Sequence, residues 1–292
     1  MPRVTRNGMR NLWTLSGLSW RELALRTWRK SWEDAVFGQA ARLAFYHFLA
    51  AFPALLLFLV LIDRARLEGL AVFSTLFDTL RQILPVQAFQ LVQAVAGQMK
   101  GVAGTGIGII SAVLSAGWAS VNASWALMTA LNTAYEVSEH RPLRKVIPIA
   151  FVLTLSIGIM LLLALAAVLF GGHLVRLAGA GPGVQVILLR GIQWAVIEAL
   201  LLSSFALMYR FAPDLNDREW QWSTPGAILA SGLWILTTVL TRLYFEHFHS
   251  YDVMYQQLRG VAMLLIWLYL TSSAILIGGE MNSEIEKAAK RR

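Results

Sequence analysis

Long apolar stretches separated by short polar segments dominate the chain. A helix needs about 20 mostly apolar residues to cross the hydrocarbon core of a bilayer, and six stretches reach that length. They are roughly 42–62, 106–134, 146–170, 190–211, 225–245 and 261–279. Glycine, serine and asparagine dilute the hydropathy of the second stretch, which makes it the weakest. The pattern predicts an all-α polytopic membrane protein with six transmembrane helices.

The basic residues are distributed unevenly between the predicted loops. About twice as many Lys and Arg residues fall on the side that holds both ends of the chain as on the other side. Cytoplasmic segments of membrane proteins carry such an excess of Lys and Arg. We therefore expect both termini to be cytoplasmic.

A polar and amphipathic segment precedes the first predicted span. Residues 19–36 predict a helix, because Ser19 and Glu22 have the spacing of a capping box. Leu25, Trp28 and Trp32 fall on one stripe of that helix, surrounded by charged residues. Trp and Arg together are typical of helices in the lipid headgroup zone. A soluble amphipathic helix packed beneath the bundle is the alternative.

Residues 67–99 predict two more amphipathic helices, on the outer side of the membrane, separated at Pro85. Packing over the bundle explains them better than a mobile lid. The chain then divides into an N-terminal arm with the interfacial helix (1–39), a transmembrane domain (40–282) that includes the outer amphipathic segment (63–103), and a basic tail (283–292). Thr224 before Pro225 indicates the start of the fifth span, because proline favours the first position of a helix.

Composition narrows the function classes. Apolar residues make up 57% of the 292 residues and charged residues only 14%, whereas about 25% is typical of soluble domains. The absence of cysteine excludes disulfides and thiolate chemistry. The net charge of +8 is explained by sidedness and anionic lipid headgroups, so nucleic acid is not an expected partner. We expect membrane lipids as partners and no cofactor, and self-association into a homo-oligomer stays open.

Ionisable residues within the spans are the sharpest candidates for function. Each costs roughly 2.5–3.5 kcal/mol at mid-helix, so each is expected to be paired or to face water. Candidates for a substrate or ion path are listed here in chain order: Arg42, His47, Pro53, Glu198, Arg242 and Glu246. Glu198 lies about 12 Å along the helix from Arg190. For Glu198 a transport role and a structural ion pair weigh equally, whereas Arg242 and Glu246, near a span end, favour the structural role.

Pro53 is a candidate for a different reason. Proline cannot donate to the carbonyl of Leu49, so a kink in the first span is expected. Such kinks occur at transporter sites and also without any function.

Four further polar residues are candidates for a gate or for contacts between helices: Asn122, Asn132, Glu280 and Asn282. Asparagine in a helix rich in small residues bonds across close helix contacts. Glu280 and Asn282 are expected to end the sixth span. A carboxylate is unfavourable at a helix C-terminus, so Glu280 should have a cationic partner, with Arg210, Arg141 and Arg42 as candidates.

Several segments together resemble one family of bacterial inner-membrane proteins, the YihY/BrkB family. The segments are Ala40-Ala41-Arg42-Leu43-Ala44-Phe45-Tyr46 with Phe52-Pro53, Ala130-Leu131-Asn132-Thr133-Ala134-Tyr135, and Leu264-Leu265-Ile266-Trp267-Leu268-Tyr269 with Gly278-Gly279-Glu280-Met281-Asn282. The resemblance covers about residues 20–285 and implies six spans with cytoplasmic termini. It also implies a transporter, linked to lipid or lipopolysaccharide export and to serum resistance. An old label of the family, ribonuclease BN, is regarded as a misassignment. This chain departs from the family after Tyr255, where Gln256 replaces the usual glycine.

The leading hypothesis is an inner-membrane transporter or flippase-like permease for a lipid or an anionic or zwitterionic solute. No phosphate-binding loop is present, so ATP hydrolysis is not expected to drive it. A membrane-bound ribonuclease is the enzymatic alternative, with Asp214, Asp217 and Glu219 as a sparse acidic group. A structural or scaffold role is the third hypothesis. His247 and His249 make a weak metal signal, so neither a metal site nor a catalytic residue is assigned.

Overall fold

The computed structural model describes residues 12–64, 78, 81, 89, 90, 92–94, 96, 97, 106–177, 183–215, 224–247 and 256–291. A short 3-10 helix, Leu12–Gly17, comes first. Seven α-helices have both ends within the described residues: α1 (Trp20–Glu33), α2 (Val36–Arg64), α3 (Gly106–Ala134), α4 (Leu143–Leu177), α5 (Val184–Phe211), α6 (Pro225–His247) and α7 (Gln256–Lys290). The described part of the chain has no β-strand, which confirms the all-α prediction.

Five of these helices, α3 to α7, are long and apolar enough to cross a membrane by length and composition. Each coincides with one of the predicted spans from the second to the sixth. The first predicted span, 42–62, falls on α2, whose side chains beyond Ala54 lie outside the described residues. The first span, and with it the total of six, therefore stays a prediction, as does the cytoplasmic position of the termini. Most of the predicted outer segment 67–99 also lies outside the described residues.

Local sequence signals explain where several helices begin. Ser19 caps α1 by accepting a hydrogen bond from the backbone N–H of Glu22 at 3.2 Å. Thr224 caps α6 in the same manner, with its hydroxyl accepting from the N–H of Ala227 at 3.1 Å. Pro225 then occupies the first helical position, as predicted.

The helices alternate in direction, so one end of the bundle holds the start of α2, α4 and α6 and the end of α3, α5 and α7. We call this end the base. α7 packs on α2, α3 and α6. α4 packs mainly on α5. At the base, α1 and the 3-10 helix lie against α7. The main buried core, from Val36 through Leu131 and Tyr209 to Leu276, lies in the half of the bundle next to the base. Away from it, many large apolar side chains of α4 and α5 are exposed, as expected where lipid surrounds a helix.

α7 is longer than the sequence predicts. It continues eleven residues beyond Gly279, to Lys290, because Met281 and Ile285 join Leu12, Leu15 and Leu23 in a second buried cluster. The expectation that Glu280 ends the last span at a helix C-terminus is therefore wrong. Most of the predicted basic tail is helical and belongs to the packed base.

α6 and α7 cross at very close range near the base. A Cβ atom on Gly278 would collide with the carbonyl oxygen of Gly226 and with the hydroxyl of Tyr209. A Cβ atom on Gly226 would in turn collide with the carbonyl oxygen of Gly278. Small residues at such positions allow two backbones to approach, which is how helices associate within membranes. Gly226 of α6 and Gly278 of α7 are thus packing residues.

We expect the substitution Gly278→Ala to destabilise the folded protein by about 1–3 kcal/mol, the usual cost of forcing a methyl group into a packed site. The measurement is the thermal midpoint of the purified protein in detergent. Gly232→Ala on α6 is the matched control, because a Cβ atom there meets nothing within 4 Å. That control should be neutral or stabilising by up to about 1 kcal/mol, since alanine is the better helix former. Equal midpoints for the two variants would contradict a close crossing at Gly278.

Candidate functional site

Both predicted contact asparagines near the base, Asn132 and Asn282, connect separate helices or the segments that follow them. Asn132, at the end of α3, donates from its side-chain nitrogen to Glu139 at 2.9 Å. Its side-chain oxygen accepts from the backbone N–H of Asp214 at 2.8 Å. Asn132 is 6% exposed, so both bonds are shielded from water. One buried side chain therefore ties the segment after α3 to the segment after α5.

Arg141 reinforces the same connection. Its guanidinium forms two bonds with the Glu139 carboxylate, at 2.6 and 2.7 Å, and donates to the carbonyl oxygen of Ala212 at 2.9 Å. The Arg141 hydrogen bond holds the pKa of Glu139 below its ordinary value. Asp214 accepts from the backbone N–H of His140 at 2.9 Å. Asp214, one of the three acids of the ribonuclease alternative, thus has a structural role here, whereas Asp217 and Glu219 lie outside the described residues.

Asn282 caps α6 from α7. Its side-chain oxygen accepts from the backbone N–H of Gly226 at 2.9 Å, and its side-chain nitrogen donates to the hydroxyl of Thr224 at 2.9 Å. The first backbone N–H groups of a helix have no partner within the helix, so this cap satisfies one of them inside the protein. The last part of the Gly278-to-Asn282 segment is therefore bound to the start of α6. Asn282 therefore acts as a contact between α7 and α6.

Glu280 lies between these packing residues and is fully buried. Within the described residues, neither of its carboxylate oxygens has a hydrogen-bond partner. The cations that act on it are Lys287 and Lys30, not the arginines proposed from the sequence. Arg141, one of those arginines, is already bound to Glu139. The prediction of an arginine partner is wrong because α7 does not end there, so Glu280 faces α1 and the last turns of α7.

Glu136 is a contact residue that sequence reasoning missed. It follows the end of α3 in the left-handed backbone region, with φ +53°, where glycine is the common residue. Its backbone N–H bonds to Thr133 and the next N–H, of Val137, bonds to Asn132, which closes the helix end as a Schellman motif. Its carboxylate bridges Lys30 of α1 at 2.7 Å and Lys287 of α7 at 3.0 Å. The sequence offered one signal for this contact: a charged residue just after the end of a helix, where glycine is the common residue.

The two lysines change the acidity of Glu136. The hydrogen bond from Lys30, followed by that from Lys287, lowers the pKa of Glu136 from 4.5 to about 2. The same bond raises the pKa of Lys30 above its ordinary value. This ionic bridge therefore persists at neutral pH and holds α1 and α7 to the end of α3.

Glu198 is the interior carboxylate predicted from the sequence, and it lies on α5 at the middle of the apolar helix segment 185–211. It is half-buried and accepts a hydrogen bond from the Ser231 hydroxyl of α6 at 2.5 Å. Ser231 itself is 2% exposed. Within the described part of the chain Glu198 has no ion pair. Arg190, on the same face two turns away, bonds instead to Gln193 at 3.2 Å.

His47 also contacts a neighbouring helix near the middle of the bundle. Its Nδ1 atom lies 3.4 Å from the Ser272 hydroxyl of α7, and Ser272 is fully buried. Pro53 lies further along α2, within a helix that continues to Arg64. We call the Glu198–Ser231 and His47–Ser272 contacts the mid-bundle polar contacts. They join α5 to α6 and α2 to α7.

The other predicted path residues have different surroundings. Arg42 and Arg242 are exposed, on α2 and α6, and the side chain of Glu246 lies outside the described residues. Asn122 donates to the carbonyl oxygen of Trp118 at 2.7 Å, within its own helix. The candidates therefore separate into packing contacts at the base, polar contacts at mid-bundle and exposed cations. Among the residues described, no group of three His, Asp or Glu side chains could hold a metal ion.

We expect the α1–α3–α7 bridge to weaken in acid. A carboxylate with a lowered pKa stabilises the fold fully above its unfolded value, here 4.5, and loses that contribution as pH falls toward about 2. The thermal midpoint of the wild type should fall across this window, and that of Glu136→Gln should fall less. Glu22→Gln is the control, because Glu22 pairs only with Arg26 within α1. If Glu136→Gln keeps the full acid dependence, Glu136 does not form the bridge.

Comparison with known proteins agrees with this architecture. The family model described as Virulence factor BrkB matches residues 27–292. A ribonuclease-like protein, YfkH, of Bacillus subtilis (strain 168) is 30% identical over 87% of this chain and 91% of its own length. No solved structure matches the chain.

Two further relatives are named UPF0761 membrane proteins. The relative from Pseudoalteromonas translucida (strain TAC 125) is 26% identical over 66% of this chain, and the relative from Rhodospirillum centenum (strain ATCC 51521 / SW) is 28% identical over 87%. This chain spans only 61% and 55% of their lengths. Their names and the five apolar helices confirm a multi-pass membrane protein, as expected in the bacterial inner membrane. By the match over residues 27–292, the chain belongs to the BrkB family.

Proposed function

We propose that this BrkB-family membrane protein is a transporter or flippase-like permease that works without hydrolysing ATP. The observation that carries the proposal is Glu198, a half-buried carboxylate at the middle of an apolar helix, bonded to Ser231 of the neighbouring helix. A carboxylate at this depth costs roughly 2.5–3.5 kcal/mol, and polar groups in such positions mark substrate and ion pathways. At the base the side chains of Asn132 and Asn282 each make two hydrogen bonds, whereas Glu198 has only the Ser231 hydroxyl within the described residues.

The negative charge of the Glu198 carboxylate restricts the class of substrate that can bind beside it. A single carboxylate that has no cationic partner among the described residues attracts a cationic group, such as the amine of a zwitterionic lipid headgroup. A purely anionic solute is repelled by it. Among the substrates that the sequence suggested, a zwitterionic lipid therefore fits Glu198 better than an anionic solute.

The packing supports movement near α5. α5 packs mainly on α4 and α6 mainly on α7, so the boundary between α5 and α6 is a thin contact that includes Glu198 and Ser231. Helices that slide or separate do so where few side chains interlock. At the base, in contrast, the network around Asn132 and Arg141 binds the end of α5 to the end of α3. We infer that the α5–α6 boundary opens away from the base.

The alternatives have less support. A ribonuclease that uses metal-dependent phosphoryl transfer needs clustered carboxylates, and within the described residues no such cluster is present. The ribonuclease-like name belongs to the relative from Bacillus subtilis and describes that protein. A scaffold role would require neither a carboxylate nor a hydroxyl at mid-membrane depth.

We expect Glu198→Gln to slow transport about tenfold, because a hydrogen bond to a charged group is worth about 1.5–3 kcal/mol. The measurement is translocation of a fluorescently labelled phosphatidylethanolamine across reconstituted vesicles, followed by chemical quenching of the outer leaflet. Ser231→Ala should slow it less, since the carboxylate stays in place. Glu33→Gln, on the exposed side of α1, is the matched control and should behave as the wild type.

Two results would contradict the proposal. One is translocation by Glu198→Gln at the wild-type rate, with the protein folded and correctly inserted. The other is a wild-type translocation rate for phosphatidylethanolamine no higher than that of protein-free vesicles.

A further inference from the structure

α1 packs on the bundle with the face opposite to its apolar stripe. The buried residues of the helix are Leu23, Thr27 and Ser31, two of which carry hydroxyl groups. The Ser31 hydroxyl donates to the carbonyl oxygen of Thr27 at 2.8 Å, so this face satisfies a polar group within the helix. Leu23 joins Met281 and Ile285 of α7. The side facing the protein is therefore small and partly polar.

The apolar stripe faces away from the protein. Leu25, Trp28 and Trp32 are 62%, 55% and 61% exposed. An amphipathic helix packed beneath a bundle would bury this stripe and expose its polar side. The structure shows the reverse: α1 packs on α7 through its small, partly polar face and leaves the stripe exposed. The exposed side chains of Leu25, Trp28 and Trp32 form a patch that a water-soluble surface rarely carries.

This aromatic surface continues onto the surface of α2. Trp28 and Trp32 pack around Phe37, with ring centroids 6.2 and 4.9 Å away. Phe37 shares a helix face with residues four and eight positions on, Ala41 and Phe45, both exposed. The exposed face of α1 thus runs without interruption onto the exposed face of the helix that carries the first predicted span.

Positive charge surrounds this surface. Arg21, on α1, and Arg42, on α2, are exposed, and within the described residues neither has an ion pair. Arg29 is also exposed and has only a long contact with Glu33, at 3.4 Å. Arg26 and Lys30, in contrast, are held by Glu22 and Glu136. Arginine beside an exposed tryptophan stripe is the composition of helices that lie in the headgroup layer of anionic membranes.

We propose that the exposed face of α1 lies in the headgroup–acyl boundary of the membrane, and that anionic phospholipid binds there through Arg21 and Arg42. The tryptophan rings lie at the level where their apolar bodies enter the acyl region and their N–H groups remain near the headgroups. α1 then anchors the base of the bundle to one leaflet. This inference concerns lipid binding at the surface and does not depend on the transport role of Glu198.

The absence of cysteine makes a site-specific test direct. Leu25→Cys places one label on the exposed stripe, and Trp32→Cys places a second label on the same stripe if the first variant does not fold. His140→Cys is the control, on a side chain that is 82% exposed at the base. Each variant is labelled with a fluorophore and reconstituted into bilayers of phosphatidylcholine and phosphatidylglycerol with brominated acyl chains.

Brominated lipid should quench the label at residue 25 strongly and the label at residue 140 weakly. A water-soluble quencher should show the opposite order. Equal access of the water-soluble quencher to both labels would overturn the proposal. Protection of residue 25 from both quenchers, with a short distance between labels in two copies of the chain, would also overturn it and identify a dimer contact.

Lipid selectivity tests the two arginines. With bromine only on phosphatidylglycerol or only on phosphatidylcholine, the label at residue 25 should be quenched more by the anionic lipid. Arg21→Gln and Arg42→Gln should each reduce that preference roughly fivefold, since one cation near an anionic surface contributes on that order. Arg26→Gln is the matched control, because Arg26 is paired with Glu22. An unchanged preference in the double variant Arg21→Gln, Arg42→Gln would overturn the assignment of the lipid site.

Discussion

The close crossing of α6 and α7 at Gly226 and Gly278 is the constraint on which the base of the bundle depends. Only residues without a side chain allow the two backbones to come so near, since a methyl group at either position would meet a carbonyl oxygen. That approach brings Asn282 within reach of the first N–H groups of α6, and it brings the hydroxyl of Tyr209 to the carbonyl oxygen of Ile275 at 2.7 Å. Within a membrane, association between helices depends on such packing and on hydrogen bonds, because burial of apolar side chains against lipid-like neighbours contributes little.

The polar residues of the chain then divide by depth. At the base, Asn132, Arg141 and Glu136 join segments that are far apart in the sequence. At mid-bundle Glu198 and His47 each contact one hydroxyl of a neighbouring helix, and Ser124 contacts Thr154 between α3 and α4. A bundle held firmly at one end and loosely further along is suited to open at the loose part. This division is the physical basis for placing transport at Glu198 and structural roles at the base.

Individual residues show how far sequence reasoning reached. The helix starts at Ser19 and Pro225 follow from capping rules that involve only neighbouring residues, so they were predictable. Glu280 was assigned to a helix C-terminus because the apolar run ends there, but buried contacts of Met281 and Ile285 extend the helix. Glu136 was missed, since its ionic bridge joins residues 106 and 151 positions away and no local pattern reports such a contact. Glu198 was identified as an interior charge, but its partner Ser231 is 33 residues distant.

The sequence by itself determined the all-α class, the membrane setting, the positions of α3 to α7 and the amphipathic character of α1. Hydropathy, periodicity and end caps are properties of one segment at a time, so they can be read along the chain. Only the tertiary structure decided which face of α1 is exposed, which charges meet at the base and which carboxylate stays apart from cations. Those outcomes depend on the relative rotation and height of neighbouring helices, which the glycine crossing and the buried asparagines set together.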